Sequence, residues 1–406
     1  MPKFPLLCAM MFLQFFVWGS WYVTAGTLVP SLGWSQETTG WVYSAGPIAA
    51  LISPLFLGLV ADRFFASQRV LSVLHALGAV LMLLLIPGAI EAKDATWFEW
   101  YVLAYMLCYM PTLGLSNTVA FSHIDDPEKQ FPLARVFGTL GWIAAVTLVS
   151  KGLGADQDPV MFQVAGFASA AMALLSWMLP NTPPPAAGKQ VGLGETLGLG
   201  AIELLREPAF AVFLLSSFLV CIPLAGYYSF GSQFAGTAWQ EPGFYMTFGQ
   251  WAEVLFMLVM PACFARLGVK WMLAIGMLAW VARYGLFSAA AGSTPPVAWM
   301  VLGGILLHGI CYDFFFVTGQ IYVDQKARPQ IRGQAQSLLV LVTQGLGMLI
   351  GAQAMTAAVT ANTIENKADW ATIWLLPCLG ALGILMLFVL LFRAPERTTT
   401  TPTTAR

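Results

Sequence analysis

The sequence predicts an all-α polytopic membrane protein with twelve transmembrane helices in two six-helix bundles. Three observations carry this. Of 406 residues, 58% are hydrophobic and 10% are Asp, Glu, Lys or Arg, where a soluble globular chain carries roughly a quarter charged residues. The apolar residues fall into long runs, and at about 1.5 Å per residue about 20 of them cross a hydrocarbon core of about 30 Å. A polar, proline-rich segment divides the runs six and six. A soluble enzyme of this length would need more surface charge than the chain holds. With 19 basic and 20 acidic residues the net charge is -1, so no polybasic surface invites nucleic acid.

The first run, Phe4 to Leu28, contains no charged residue. Only Lys3 offers a basic flank and more apolar segments follow at once, so it reads as a retained span and not a cleaved leader. Further spans are expected at roughly 40–60, 69–90, 97–120, 132–150 and 160–180, then 209–231, 245–265, 270–290, 297–323, 332–358 and 370–392. Between the halves, Asn181 to Pro208 holds Pro183-Pro184-Pro185, Lys189, Glu195, Glu203, Arg206 and Glu207. It reads as a linker with a short surface helix near Leu197 to Leu205. The expected organisation is a six-helix bundle over 1–180, a cytoplasmic linker over 181–208, a second bundle over 209–393 and a Thr-rich tail over 394–406.

Orientation follows from the basic residues. Lys3, Arg63, Arg69, Lys129, Lys189, Arg206, Arg266, Lys270, Lys326, Arg328, Arg332, Arg393, Arg397 and Arg406 fall on one side of the twelve-span scheme; Lys93, Lys151 and Lys367 fall on the other. The positive-inside rule then places both termini in the cytoplasm. The six cysteines are scattered through apolar runs without paired spacing, which supports neither disulfides nor a metal cluster, and no cofactor is called for. Glycines inside spans, such as Gly138, Gly141, Gly309 and Gly351, are expected to let helices approach closely. Pro47, Pro54 and Pro111 are expected to kink their helices.

Ionisable groups at membrane depth are costly, so those present are the candidate site. Gln250 and Glu253 are three residues apart in an apolar run; His308 and Tyr312 are four apart, with Asp313 next to Tyr312. Arg135 and Thr139 are four apart, and Thr139 and Trp142 three. On helices each set shares one broad face. Amide and carboxylate groups beside aromatic rings suit a small polar ligand with an aromatic part. The alternative at each position is a structural polar network, a membrane-edge cation for Arg135, or a helix pair for Asp313. Low dielectric disfavours a carboxylate's charged form, which makes Glu253 and Asp313 candidate proton carriers. Between the second and third spans, Gly58, Asp62 and Arg63 form a candidate conformational gate; an ordinary membrane-edge cap is the plainer reading.

Gly58…Asp62-Arg63 and the six-plus-six plan resemble the major facilitator superfamily. The resemblance narrows to its nucleoside:proton symporter family, the bacterial nucleoside permeases. Trp18-Gly19-Ser20-Trp21 looks like the family's first span, and Tyr109-Met110-Pro111-Thr112-Leu113-Gly114-Leu115-Ser116-Asn117-Thr118 its fourth. Arg135 to Gly141 is similar to its fifth, Gln250…Glu253 to its eighth and Tyr312-Asp313-Phe314-Phe315 to its tenth. The resemblance implies a central nucleoside site with Arg135 and Thr139 from the first half, and Gln250, Glu253 and Asp313 from the second. Trp142, Tyr312 and His308 stand where the family has phenylalanine, phenylalanine and tyrosine. In the seventh span Ala225 and Tyr228 replace a glutamine and an asparagine, so two amides that could read a base are absent.

The resulting expectation is a monomeric, multi-pass protein of the cytoplasmic membrane, in contact with lipid, that imports nucleosides with protons by alternating access and is not an enzyme. The substrate-binding set is Arg135, Thr139, Trp142, Tyr228, Gln250, Glu253, His308, Tyr312 and Asp313. The open alternatives are a transporter of another sugar, polyol or nucleobase, and a non-transporting receptor or scaffold.

Overall fold

A computed structural model describes residues 3–56, 64–184, 194, 199–365 and 367–393, apart from the side chains of residues 127 and 128. Its spans are α1 (Lys3–Ser31, with a turn at residues 23–24), α2 (Gln36–Phe56), α3 (Ser67–Glu91) and α4 (Ala95–His123). They continue with α5 (Pro127–Thr147, prolonged by a π turn over Leu148–Gly152), α6 (Val160–Met178) and α7 (Pro208–Ala235). Pro242–Ala290 is helical throughout except at Gly268, whose φ of 69° breaks it into α8 (242–267) and α9 (269–290). Then come α10 (Ala298–Lys326), α11 (Pro329–Ala361) and α12 (Trp370–Leu391). These are the twelve expected spans, six to each half of the chain.

Local chemistry sets where several of them begin. Asp94, Asp126 and Asp369 each accept a hydrogen bond from a backbone N–H three residues on, at Trp97, Lys129 and Thr372. A carboxylate there satisfies a free amide of the first turn and favours its partial positive charge. Before α7, a 3-10 helix over Leu199–Arg206 lies on the second bundle. It is held by Gly200 N–H donating to Gln334, by Lys326 with Glu207 at 2.8 Å and by the Arg328–Glu203 ion pair.

Inside the first bundle a polar cluster ties four helices together. His75 contacts Ser169 Oγ (3.0 Å) through Nδ1 and Gln14 Oε1 (3.1 Å) through Nε2, while Gln14 Nε2 donates to Thr112 (2.7 Å). Every one of these side chains is buried, so the cluster fixes packing where apolar burial gives no force between helices.

The two halves meet through hydrogen bonds at one end only, among the described residues. That end carries the connections 153–159, 236–241 and 362–369. There Thr27 bonds Ser232 (3.1 Å), Gln353 donates to Ser44 (2.8 Å) and Thr360 donates to Glu37 (3.3 Å). Lys151 pairs with Glu241 at 2.9 Å. Beside it the first half caps the start of α8: Gly243 N–H donates to Asp156 Oδ2 (3.3 Å) and Phe244 N–H to Ser150 Oγ (2.8 Å). Ser150 in turn donates to Asp156 at 2.7 Å.

Candidate substrate cavity

Beyond this sealed end the halves enclose a cavity of about 390 Å³, within the range of small-molecule sites. It gathers eight of the nine substrate-binding residues expected from sequence: Arg135, Thr139, Trp142, Tyr228, Gln250, Glu253, His308 and Tyr312. The wall is completed by Phe15, Trp18 and Tyr22 of α1, by Pro47 and Pro54 of α2, and by Gln344 and Met348 of α11.

Aromatic rings run continuously from one half to the other. Trp18 lies edge-on to Trp142 (5.4 Å between centroids) and 5.3 Å from Tyr22; Tyr22 reaches Tyr228 of the other half at 6.2 Å. Tyr228 then meets His308 edge-on at 6.3 Å, and His308 lies 5.9 Å from Tyr312. Close helix contact makes this possible. At Gly309 a Cβ would sit 2.5 Å from the Ala252 carbonyl oxygen and 2.7 Å from the Glu253 amide nitrogen, so only glycine lets α10 touch α8 there. That contact brings His308 Nε2 to 4.0 Å from Glu253 Oε2. On the other side Gly141 meets the backbone of Phe12, which presses α5 onto α1.

Arg135 packs its guanidinium 4.0 Å from the Phe15 ring centroid, a cation–π contact. It has no ion pair among the described residues, and it lines the same cavity as Glu253. Glu253 keeps a fifth of its side chain accessible while His308 is nearly sealed at 3%. The arrangement is an aromatic slot with a cation and a hydroxyl on one side and an amide and a carboxylate on the other.

Asp313 departs from expectation. It is fully buried, neither carboxylate oxygen has a hydrogen-bond partner among the described residues, and it does not line the cavity. Adjacent helix positions diverge by about 100°, and since Tyr312 faces the cavity Asp313 turns away, at the start of a π turn over Asp313–Val317. Ala225 is likewise buried behind the wall. The candidate gate residues Gly58, Asp62 and Arg63 lie outside the described residues.

Sequence reasoning missed Phe15, Tyr22 and Gln344. The two aromatic residues are hidden by a composition rich in rings. Gln344 carried a usable signal, as a mid-span amide between Thr343 and Gly345. Arg283 is a cation within the apolar run 270–290. It is fully buried, donates from Nε to the Gly304 carbonyl (3.0 Å) and stacks 4.1 Å from the Tyr227 ring centroid.

Residues 3–397 match the Nucleoside H+ symporter family. The chain belongs to that family. Among its relatives, the xanthosine permease of Escherichia coli is 31% identical over 95% of each chain. The Escherichia coli protein YegT is 36% identical over 96% of this chain and 94% of its own. The crystal structure of the nucleoside transporter NupG superposes with a TM-score of 0.87 at 28% identity, covering 97% of this chain and 100% of that one. The symporter is thus a multi-pass membrane transporter for proton-coupled nucleoside import.

Proposed function

We propose that the cavity is the nucleoside site of an importer in the cytoplasmic membrane, with both termini inside. The observation that carries this reading is the single aromatic slot between the halves, with Arg135 and Thr139 facing Gln250 and Glu253. A nucleoside joins a flat base to a ribose. The rings of Trp18, Trp142, Tyr228 and Tyr312 suit the base by stacking, and the polar groups suit the ribose hydroxyls. By the positive-inside bias, the hydrogen-bonded end faces outward, so this conformation opens its site toward the cytoplasm.

Glu253 is the proton-carrying residue in this reading. It is the acidic side chain of the cavity wall, it faces Arg135, and His308 stands beside it. Carrying a proton, it leaves Arg135 free to engage ligand oxygens; releasing the proton restores the attraction between the two. Asp313, sealed behind Tyr312, acts as a second proton-holding group whose exposure changes as the halves rock.

The test is uptake into proteoliposomes under an imposed proton gradient, with uridine, inosine, adenosine, free bases and sugars competing. Nucleosides should compete, an uncoupler should abolish accumulation, and Glu253→Gln should lose the dependence on the gradient. Competition by sugars alone would leave a transporter but remove the nucleoside site. Normal gradient dependence in Glu253→Gln would remove the coupling role.

A further inference from the structure

The seventh span lacks two amides, and the structure shows what fills their place. A Cβ at Gly351 would sit 2.7 Å from Ala225 Cβ and 2.7 Å from Ile222 Cα; one at Gly347 would sit 2.8 Å from Cys221 Cβ. The helices α7 and α11 are therefore pressed together through small residues. Ala225 is buried and does not line the cavity, so the seventh span brings no amide to it there. Tyr228, one turn on, reaches the wall with a ring.

The same close approach sets Gln344 of α11 at the cavity. It lines the cavity together with Val340 and Met348 of the same helix, beside the Gly347 contact with α7. It sits in a π turn, Leu341–Gly347, a geometry that widens the helix locally and recurs at functional sites. Three glutamines of the spans are committed elsewhere, Gln353 to Ser44, Gln14 to Thr112 and His75, and Gln336 to the Gln320 carbonyl, while Gln250 lines the cavity beside Gln344. Gln344 makes no hydrogen bond among the described residues and faces the cavity.

We propose that Gln344 reads the hydrogen-bonding edge of the ligand's base, supplying from the eleventh span an amide that the seventh does not. A carboxamide offers an acceptor and a donor side by side. It matches the adjacent N–H and C=O of a uracil or hypoxanthine ring, and with the amide turned over it matches the ring nitrogen and amino group of cytosine or adenine. Gln344 is then the residue that makes the site selective for an intact base edge, while Arg135, Thr139, Gln250 and Glu253 serve the rest of the ligand. The inference rests on the cavity being a nucleoside site.

Uptake into proteoliposomes tests it with two probe pairs, uridine against 3-methyluridine and inosine against 1-methylinosine, each methyl replacing the hydrogen that the base N–H would donate to the amide oxygen. The unaltered protein should prefer the unmethylated member by about tenfold or more, since a buried polar group left unpaired penalises the analogue. Gln344→Leu should raise KM for uridine and inosine about tenfold at little-changed maximal rate, and bring each preference close to one. Its discrimination between uridine and 2′-deoxyuridine should stay as in the unaltered protein. Gln344→Met, closer in shape, repeats the measurement should the leucine variant not insert. Intact discrimination against the methylated analogues in an inserted variant, or none in the unaltered protein, overturns the proposal and leaves the nucleoside site standing. No nucleoside uptake by the unaltered protein overturns both.

Discussion

Replacing Asp156 should unlatch the sealed end. Asp156 is 4% exposed and accepts from both Ser150 and the α8 amide of Gly243, so one carboxylate joins the halves directly and steadies the Ser150–Phe244 contact beside it. The two hydrogen bonds it accepts contribute about 0.5–1.5 kcal/mol each. Asp156→Ala should therefore shift the balance between sealed and open arrangements of this end by roughly ten- to a hundredfold. Burial raises the Asp156 carboxyl above the usual carboxylate range; hydrogen bonds from Ser150 and Gly243 oppose this, and nearby Glu241, itself paired with Lys151, adds to it. The sign follows. The sealed arrangement holds this proton more tightly than one with the connection in water. Its advantage is complete below the ordinary carboxylate pKa and is lost as pH rises through the raised value. Spin labels at the exposed positions Leu153 and Gln240, in a background without the six cysteines, would report the separation of the halves by pulsed electron resonance. Asp156→Ala should lengthen the distances at all pH values. Asp156→Asn, which keeps one accepting oxygen but cannot titrate, should flatten the pH response. Unchanged distances in the alanine variant, or an unchanged pH response in the asparagine variant, would refute the reasoning.

Two other changes separate site from scaffold. Gly309→Val places branched carbon against the backbone of Ala252 and Glu253 and should cost about 1–3 kcal/mol by overpacking, seen as a lower thermal unfolding temperature in detergent together with loss of uptake. His75→Leu strands the Gln14 and Ser169 partners and should cost about 1–3 kcal/mol of stability. The order of preference among competing nucleosides should be unchanged in that variant.

The spans were legible because lipid imposes one strong rule: about 20 apolar residues per crossing, with backbone bonds satisfied within the helix. Even the break between α8 and α9 had a marker, since Gly268 sits among Arg266 and Lys270. The cavity was legible where polarity interrupts hydrocarbon, at Arg135, Gln250, Glu253 and His308. It was not legible where the decision lies in the rotation of a helix. Tyr312 and Asp313 are neighbours in sequence, yet one lines the cavity and the other is buried behind it. Ala225 gives the same lesson. The loss of an amide reads as a hole in the site, while in the fold that position belongs to a contact between two helices. Phe15 and Tyr22 resemble dozens of other rings, and only the packing of α1 against α5 singles them out.

The single-residue junction at Gly268 limits how the machine can move. With no residue to spare between them, α8 and α9 cannot slide far past one another along their lengths without a change of backbone angle at Gly268. A single backbone position thus sets the angle between the helix that carries Gln250 and Glu253 and the helix that carries the buried Arg283.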